Sequence, residues 1–394
     1  MPSFRPARAL LSAAVMATVL AAGGAAGAQT AGDRVLIGDV TTVTRIGDPA
    51  RTYQTGRDLA AGFIAMAGGV MGSKPVEIVA IDPGGDPDAA ARAVADLKDQ
   101  GAALFIGGLV ADTTLAAARA AGDTPFLAVD ARLPAALVRD LPNLYQIGPS
   151  AEALGRALAA EAAQQGAVRW GVVALDDYFG RALAHAFWNE LRAVRPEVEL
   201  AMEHYVAPLS AEVDGALDAL TARQPEALLV GLRDGDLLAF VRAAAAAGLL
   251  DGRPVMAPQV GTPEILAALG ADLPDDWVVT GYPCCEVGGQ PHRAFAEAYR
   301  AEAPVGSTPT LGALYGYTAV TAAATAIDTA WSVAPGTLAD TLDGLELSTP
   351  VGPMRFAPGT HQASLPLWVG RTSGGRFVAA QAVDPAALSQ PDRP

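Results

Sequence analysis

Basic charge is scarce in this 394-residue chain: 27 Lys and Arg stand against 42 Asp and Glu, a net charge of −15. A surface this acidic argues against nucleic acid or an anionic membrane as a partner, though not against an anion held in a locally basic cleft. Cysteine is scarcer still. Two residues, Cys284 and Cys285, exclude a disulfide scaffold. Structural zinc needs four ligands, and His185, His204, His292 and His361 are scattered, so no metal site and no cofactor are expected. Missing too are a G-x-S-x-G elbow, a Walker loop and a G-x-G-x-x-G with a partner acid. Asp176 and Asp177 are neighbours in sequence, which does not make them a catalytic pair. No catalytic residues are expected, and a hydrolytic α/β enzyme is the weaker reading.

No long apolar run occurs beyond the N-terminus. Residues 1–28 read as a cleavable export signal: Arg5 and Arg8, an apolar core Ala9–Ala22, then the small residues Ala26-Gly27-Ala28, with cleavage before Gln29. The apolar core is short for a membrane span, and no Cys follows for lipid attachment. The mature chain is expected in the periplasm, and losing the two arginines makes it more acidic.

What the chain has is strand–helix alternation. Val76–Ile81 is β-branched and apolar, a buried strand. Asp86 can cap a helix that opens at Pro87, with Ala90, Val94 and Leu97 on one face, and stops near Gly101. Leu104–Gly107 is a second strand. Such a unit is right-handed and parallel, and its ligand loops lie at the carboxyl ends of the strands. That rule draws attention to Asp112-Thr113-Thr114, where hydroxyls and backbone N–H groups can hold an anion; ordinary capping is the competing reading.

The same alternation places strands at Asp33–Val40, Pro125–Val129, Asn143–Ile147, Val168–Leu175, Leu200–Val206, Ala227–Val230 and Val255–Ala257. Helices are expected at Arg51–Ala67, Thr113–Ala121, Ser150–Gln165, Arg181–Val194, Ala211–Arg223, Arg233–Ala247, Thr262–Leu269, Pro291–Ala301 and Leu311–Ala330. Val278–Gly281 reads as a return crossing, and the tail from Thr349 alternates as a hairpin would. The sum is an α/β protein with parallel sheets, long enough for two domains around a cleft.

The order and spacing of several pieces resemble the periplasmic leucine/isoleucine/valine-type solute-binding proteins of ABC transporters. The pieces are the strand Val35–Val40, AMAGGV (Ala65–Val70), GDPDAAARAVADL (Gly85–Leu97), LFIGGLVADTT (Leu104–Thr114), YFGRALAHAF (Tyr178–Phe187) and TPVGPMRFAPGTHQASLPLWVG (Thr349–Gly370). The resemblance implies the two-lobed type I periplasmic-binding-protein fold: residues 29–148 with about 281–347 as one lobe, 149–280 with about 348–380 as the other, and 381–394 as a tail. It implies a monomer that closes on a small solute and presents it to a membrane permease and its ATPase. A ligand sensor serving a receptor is the alternative with the same fold.

The resemblance also points to site residues. The family's carboxylate-holding hydroxyl loop falls at Asp112, Thr113 and Thr114. A second hydroxyl loop falls at Asp130-Ala131-Arg132, where Arg132 can grip an anion in bidentate fashion. The family's Tyr-Gly becomes Phe179-Gly180, with Tyr178 before it, and a family Tyr is replaced around Arg233. The acidic residue that neutralises an amino group falls at Gln259, and a neutral amide cannot do that work. A carboxylate, an amide or a neutral apolar solute therefore stands beside an amino acid as the ligand. Tyr53, Tyr178 and Phe179 are expected as apolar walls. Cys284 lies beside the cleft, either as a thiol or in a vicinal disulfide with Cys285, which requires strained geometry. Arg132→Ala should weaken an anionic ligand ten-fold or more, the loss of a charge-assisted contact of roughly 1.5–3 kcal/mol. Unchanged affinity in a folded variant, measured by calorimetry, removes the assignment.

Overall fold

The computed structural model describes residues 34–384 and Leu388; the expected leader 1–28 and residues 389–394 lie outside them. The first lobe is built from β1 (Val35–Val40), α1 (Asp48–Met66), β2 (Val76–Ile81), α2 (Pro87–Asp99), β3 (Ala102–Gly108), α3 (Ala111–Ala121), β4 (Phe126–Val129), a short α4 (Ala135–Arg139) and β5 (Leu144–Ile147). Its five strands run in the order β2-β1-β3-β4-β5, all parallel. Asp86 caps α2 as expected, accepting from the Asp88 N–H. Strands β1, β4 and β5 are buried along their whole length, the pattern of a sheet covered on both faces.

Ser150, which caps the next helix, opens the second lobe. It holds α5 (Ala151–Ala162), β6 (Arg169–Leu175), α6 (Tyr178–Val194), β7 (Glu199–Val206), α7 (Asp214–Arg223), β8 (Ala227–Gly231), α8 (Asp234–Ala246), β9 (Val255–Gly261), α9 (Pro263–Leu269) and β10 (Val278–Gly281). The chain then makes α10 (Gln290–Glu302), α11 (Leu311–Ala330) and α12 (Pro335–Leu342), a small hairpin β11 (Glu346–Thr349) and β12 (Gly352–Arg355), and the hairpin β13 (Leu367–Ser373) and β14 (Arg376–Val383). The second sheet is ordered β14-β13-β10-β9-β8-β6-β7.

Four expectations change. Val278–Gly281 is not a bare crossing but a strand, parallel to β9 and antiparallel to β13. The tail hairpin is Leu367–Val383, turning at Gly374-Gly375, and not the stretch from Met354 to Gly370. The return to the second lobe at 348 comes later. The His361 carbonyl accepts from the Gln146 N–H at 2.9 Å, and the Ala363 N–H donates back to the Gln146 carbonyl at 2.9 Å. The His361 ring stacks 4.5 Å from Tyr145, so this segment is anchored to β5 of the first lobe until β13 begins. A tail starting at 381 would cut β14, which reaches Val383.

Helix α11 rejoins the first lobe by packing backbone to backbone on α1. A Cβ at Gly56 would lie 1.9 Å from the Ala313 carbonyl oxygen, and one at Gly316 would lie 2.4 Å from that of Tyr53. No side chain fits there. The crossing fixes the N-termini of both helices, Pro49 and Leu311-Gly312, over the cleft. Gly56→Ala should cost about 1–3 kcal/mol through overpacking, read as a fall of several degrees in melting temperature. An unchanged melt would show that the two helices separate freely.

Candidate functional site

The loops at the carboxyl ends of both sheets converge on one small cavity of about 30 Å³. The first lobe supplies Leu109 after β3 and Asp130 and Arg132 after β4. The second supplies Leu232, Arg233 and Asp234 after β8, Pro258 and Gln259 from β9, and Thr262, Glu264 and Ile265 just beyond it. Pro49 and Leu311-Gly312 complete the lining.

The backbone is bent to make this arrangement. Leu109, Asp130, Arg132, Asp234 and Gln259 all hold left-handed φ angles, from 46° to 72°, although none is glycine. Such conformations cost free energy and gather where a site demands them. Packing holds them in place. The Gln259 N–H, for example, donates to Thr280 Oγ1 at 2.8 Å, from the next strand.

Two arginines dominate the chemistry. Arg132 donates through Nε to Asp130 Oδ1 at 3.0 Å and through Nη2 to Oδ2 at 2.6 Å. Gln259 Nε2 donates to Asp130 Oδ1 from the other lobe at 3.1 Å. Arg233 Nη2 donates to the Leu109 carbonyl at 2.7 Å, also across the cleft. Both guanidinium groups lie over the ring of buried Phe179, 5.5 Å and 5.3 Å from its centroid, a cation–π arrangement. Burial opposes charge on Arg132, but Asp130 outweighs it and raises the pKa. For Arg233, burial and then the neighbouring Arg132 charge lower it.

Several buried polar atoms here have no partner among the described residues: Arg132 Nη1, Arg233 Nε and Nη1, the Thr262 hydroxyl and Glu264 Oε2. Native proteins leave few buried donors unpaired. Burial, with the nearby charges of Asp130 and Asp234, pushes the Glu264 carboxyl up to about 7.

Of the residues singled out from the sequence, Asp130, Arg132, Arg233 and Gln259 meet in the cavity and Phe179 lies beneath the arginines. The others lie elsewhere. Helix α3 begins two residues before Thr113, so Thr113 and Thr114 sit in its first turn. Their hydroxyls donate back to the Val110 carbonyl at 3.1 and 2.6 Å, and neither residue lines the cavity. Asp112 and the exposed Tyr178 line a separate shallow depression. Tyr53 is fully buried, next to the 2.6 Å ion pair of Asp39 and Arg57. Cys284 is a buried free thiol, its Sγ 2.8 Å from that of Cys285, and does not line the cavity. The sequence reading missed Thr262 and Glu264. The carboxyl-end rule applied to β9 would have found both.

With this geometry in place, the comparisons assign the family. The chain belongs to the periplasmic binding protein family, whose sequence model matches residues 36–376. No curated protein matches it in sequence. Its fold is similar to that of an ABC-transporter solute-binding protein from R. palustris in complex with benzoate. The TM-score is 0.78, with 19% identity, over 89% of this chain and 98% of that one. A solute-binding protein from Rhodopseudomonas palustris BisB5 in complex with 3,4-dihydroxy benzoic acid gives 0.79, with 19% identity over 90% and 99%. The branched-chain amino acid binding protein LivJ from Streptococcus pneumoniae, in complex with isoleucine, gives 0.77, with 18% identity over 89% and 99%.

A carboxyl whose pKa is raised by folding contributes stability that is present below its unfolded value, about 4.3, and lost as pH rises through about 7. Glu264→Gln should therefore remove part of the stability loss of the unliganded protein between about pH 5 and 7. Denaturant melts of both proteins across that range test it. Parallel profiles would show that Glu264 does not titrate there.

Proposed function

We propose that the chain is the exported, periplasmic solute-binding subunit of an ABC importer, and that its solute is a small carboxylate. It binds without chemistry and hands the solute to a membrane permease and ATPase. One observation carries the choice of solute. Three guanidinium nitrogens, Nη1 of Arg132 and Nε and Nη1 of Arg233, are buried in the cavity with no acceptor among the described residues. A carboxylate supplies acceptors matched to that fork geometry. With no acid at Gln259 and both Asp130 oxygens engaged by Arg132, an ammonium would fall to Glu264, whose carboxyl burial pushes up to about 7, and that weighs against an ordinary α-amino acid. Proteins of similar fold in complex with benzoates and with isoleucine support a small solute.

The lobes are taken as 29–148 with about 281–347 and 149–280 with about 348–380, adjusted for the anchoring of residues 356–363 on β5. Arg233 and Gln259 reach from the second lobe to Leu109 and Asp130 of the first, so solute held by both arginines favours closure. Thermal melts of ligand-stripped protein with aliphatic and aromatic carboxylates, their amides, and leucine or valine test the reading. A carboxylate at about 100 times its dissociation constant should add about 2.7 kcal/mol of stability, and Arg233→Ala should abolish the shift. Stabilisation by amides or by amino acids alone, or conversion of the solute to a product, overturns it.

A further inference from the structure

We propose that Thr262 and Glu264 form a second point of attachment in the cavity, one that takes a hydroxyl group on the solute, so that the preferred solute is a hydroxylated carboxylate. This rests on the reading of the solute as a carboxylate held by Arg132 and Arg233. The arginines only donate. They satisfy one end of a solute and leave the Thr262 hydroxyl and Glu264 Oε2 buried near each other, with no other partner among the described residues. A plain hydrocarbon acid would seal this pair into a closed cleft with its remaining hydrogen-bonding capacity unused, and that carries a desolvation cost without return.

A hydroxyl both donates and accepts, and so does each of its two candidate partners: Thr262 through its O–H, Glu264 through its carboxyl when protonated. The groups around Glu264 favour the protonated form. Asp130 and Asp234 face it from the two lobes, and Tyr299 of α10 lies close enough to feel its charge. Arg132 and Arg233 share the cavity, but Asp130 and Leu109 already engage them. The competing occupant is an ammonium group, which would need Glu264 ionised beside two other carboxylates.

Calorimetric titrations separate the outcomes. One series is 3-methylbutanoate, 2-hydroxy-3-methylbutanoate and valine; the other is benzoate, its three monohydroxy isomers and the aminobenzoates. At least one hydroxylated member should bind ten-fold or more tighter than its parent. Thr262→Val and Glu264→Leu should each cut that ratio below three-fold, and Glu264→Gln, which keeps a donor and an acceptor, should retain most of it. Should Glu264→Leu fail to fold, Thr262→Val decides. No gain from a hydroxyl in either series, a gain that survives Thr262→Val, or tighter binding of the amino forms overturns the proposal and leaves the carboxylate reading intact. If no carboxylate of either series binds, that reading fails and this one with it.

Discussion

Two guanidinium groups buried over a single phenyl ring constrain everything around them. Removing such charges from water is costly unless partners replace the lost hydration. Here the replacement is incomplete. Asp130 takes two N–H groups of Arg132, the Leu109 carbonyl takes one of Arg233, and the Phe179 face supports both cations. The two cations also repel each other, which is part of why Arg233 holds its proton less firmly than usual. The remaining donors lack acceptors among the described residues, and in the proposed reading a carboxylate between the lobes supplies them. The loops that carry the arginines come from different sheets, so the same charges that call for an anion also tie its capture to the approach of the lobes.

The fold was legible because its pattern is repetitive. Strand–helix alternation fixed the class, and the family resemblance, not the local sequence, pointed to the loops holding Asp130, Arg132, Arg233 and Gln259. Side-chain direction was less legible. Tyr178 and Phe179 are adjacent on one helix, yet one is exposed and the other buried under the arginines, because consecutive helical residues point about 100° apart. Thr113 and Thr114 looked free only while the start of α3 was placed two residues late. Once inside a first turn, a threonine hydroxyl has a carbonyl within reach and uses it. Glu264 was hidden for the opposite reason: an acid just after a proline reads as an ordinary first-turn helix residue, and nothing local shows that it faces two other carboxylates.

Long-range pairing was the other blind spot. The anchoring of His361 and Ala363 to Gln146 joins residues more than two hundred positions apart, with no local signature. It moves the last crossing between lobes from the region of Thr349 to that of Leu367. The stretch between α12 and β13 thus braces the first sheet beside β5 instead of serving as slack between the two halves.

The left-handed backbone at Leu109, Asp130, Arg132, Asp234 and Gln259 bears on how such a site can diversify. Branching at Cβ is poorly tolerated where φ is positive, so valine, isoleucine and threonine are closed to these five positions. Glycine, asparagine, aspartate and long unbranched side chains remain open. A lineage adapting to new solutes can exchange charge, length and hydrogen-bonding character there while the scaffold of the cavity stays fixed. Shape selectivity for branched hydrocarbon must come instead from positions with ordinary backbone, such as Pro49, Leu237, Ile265 and Leu311.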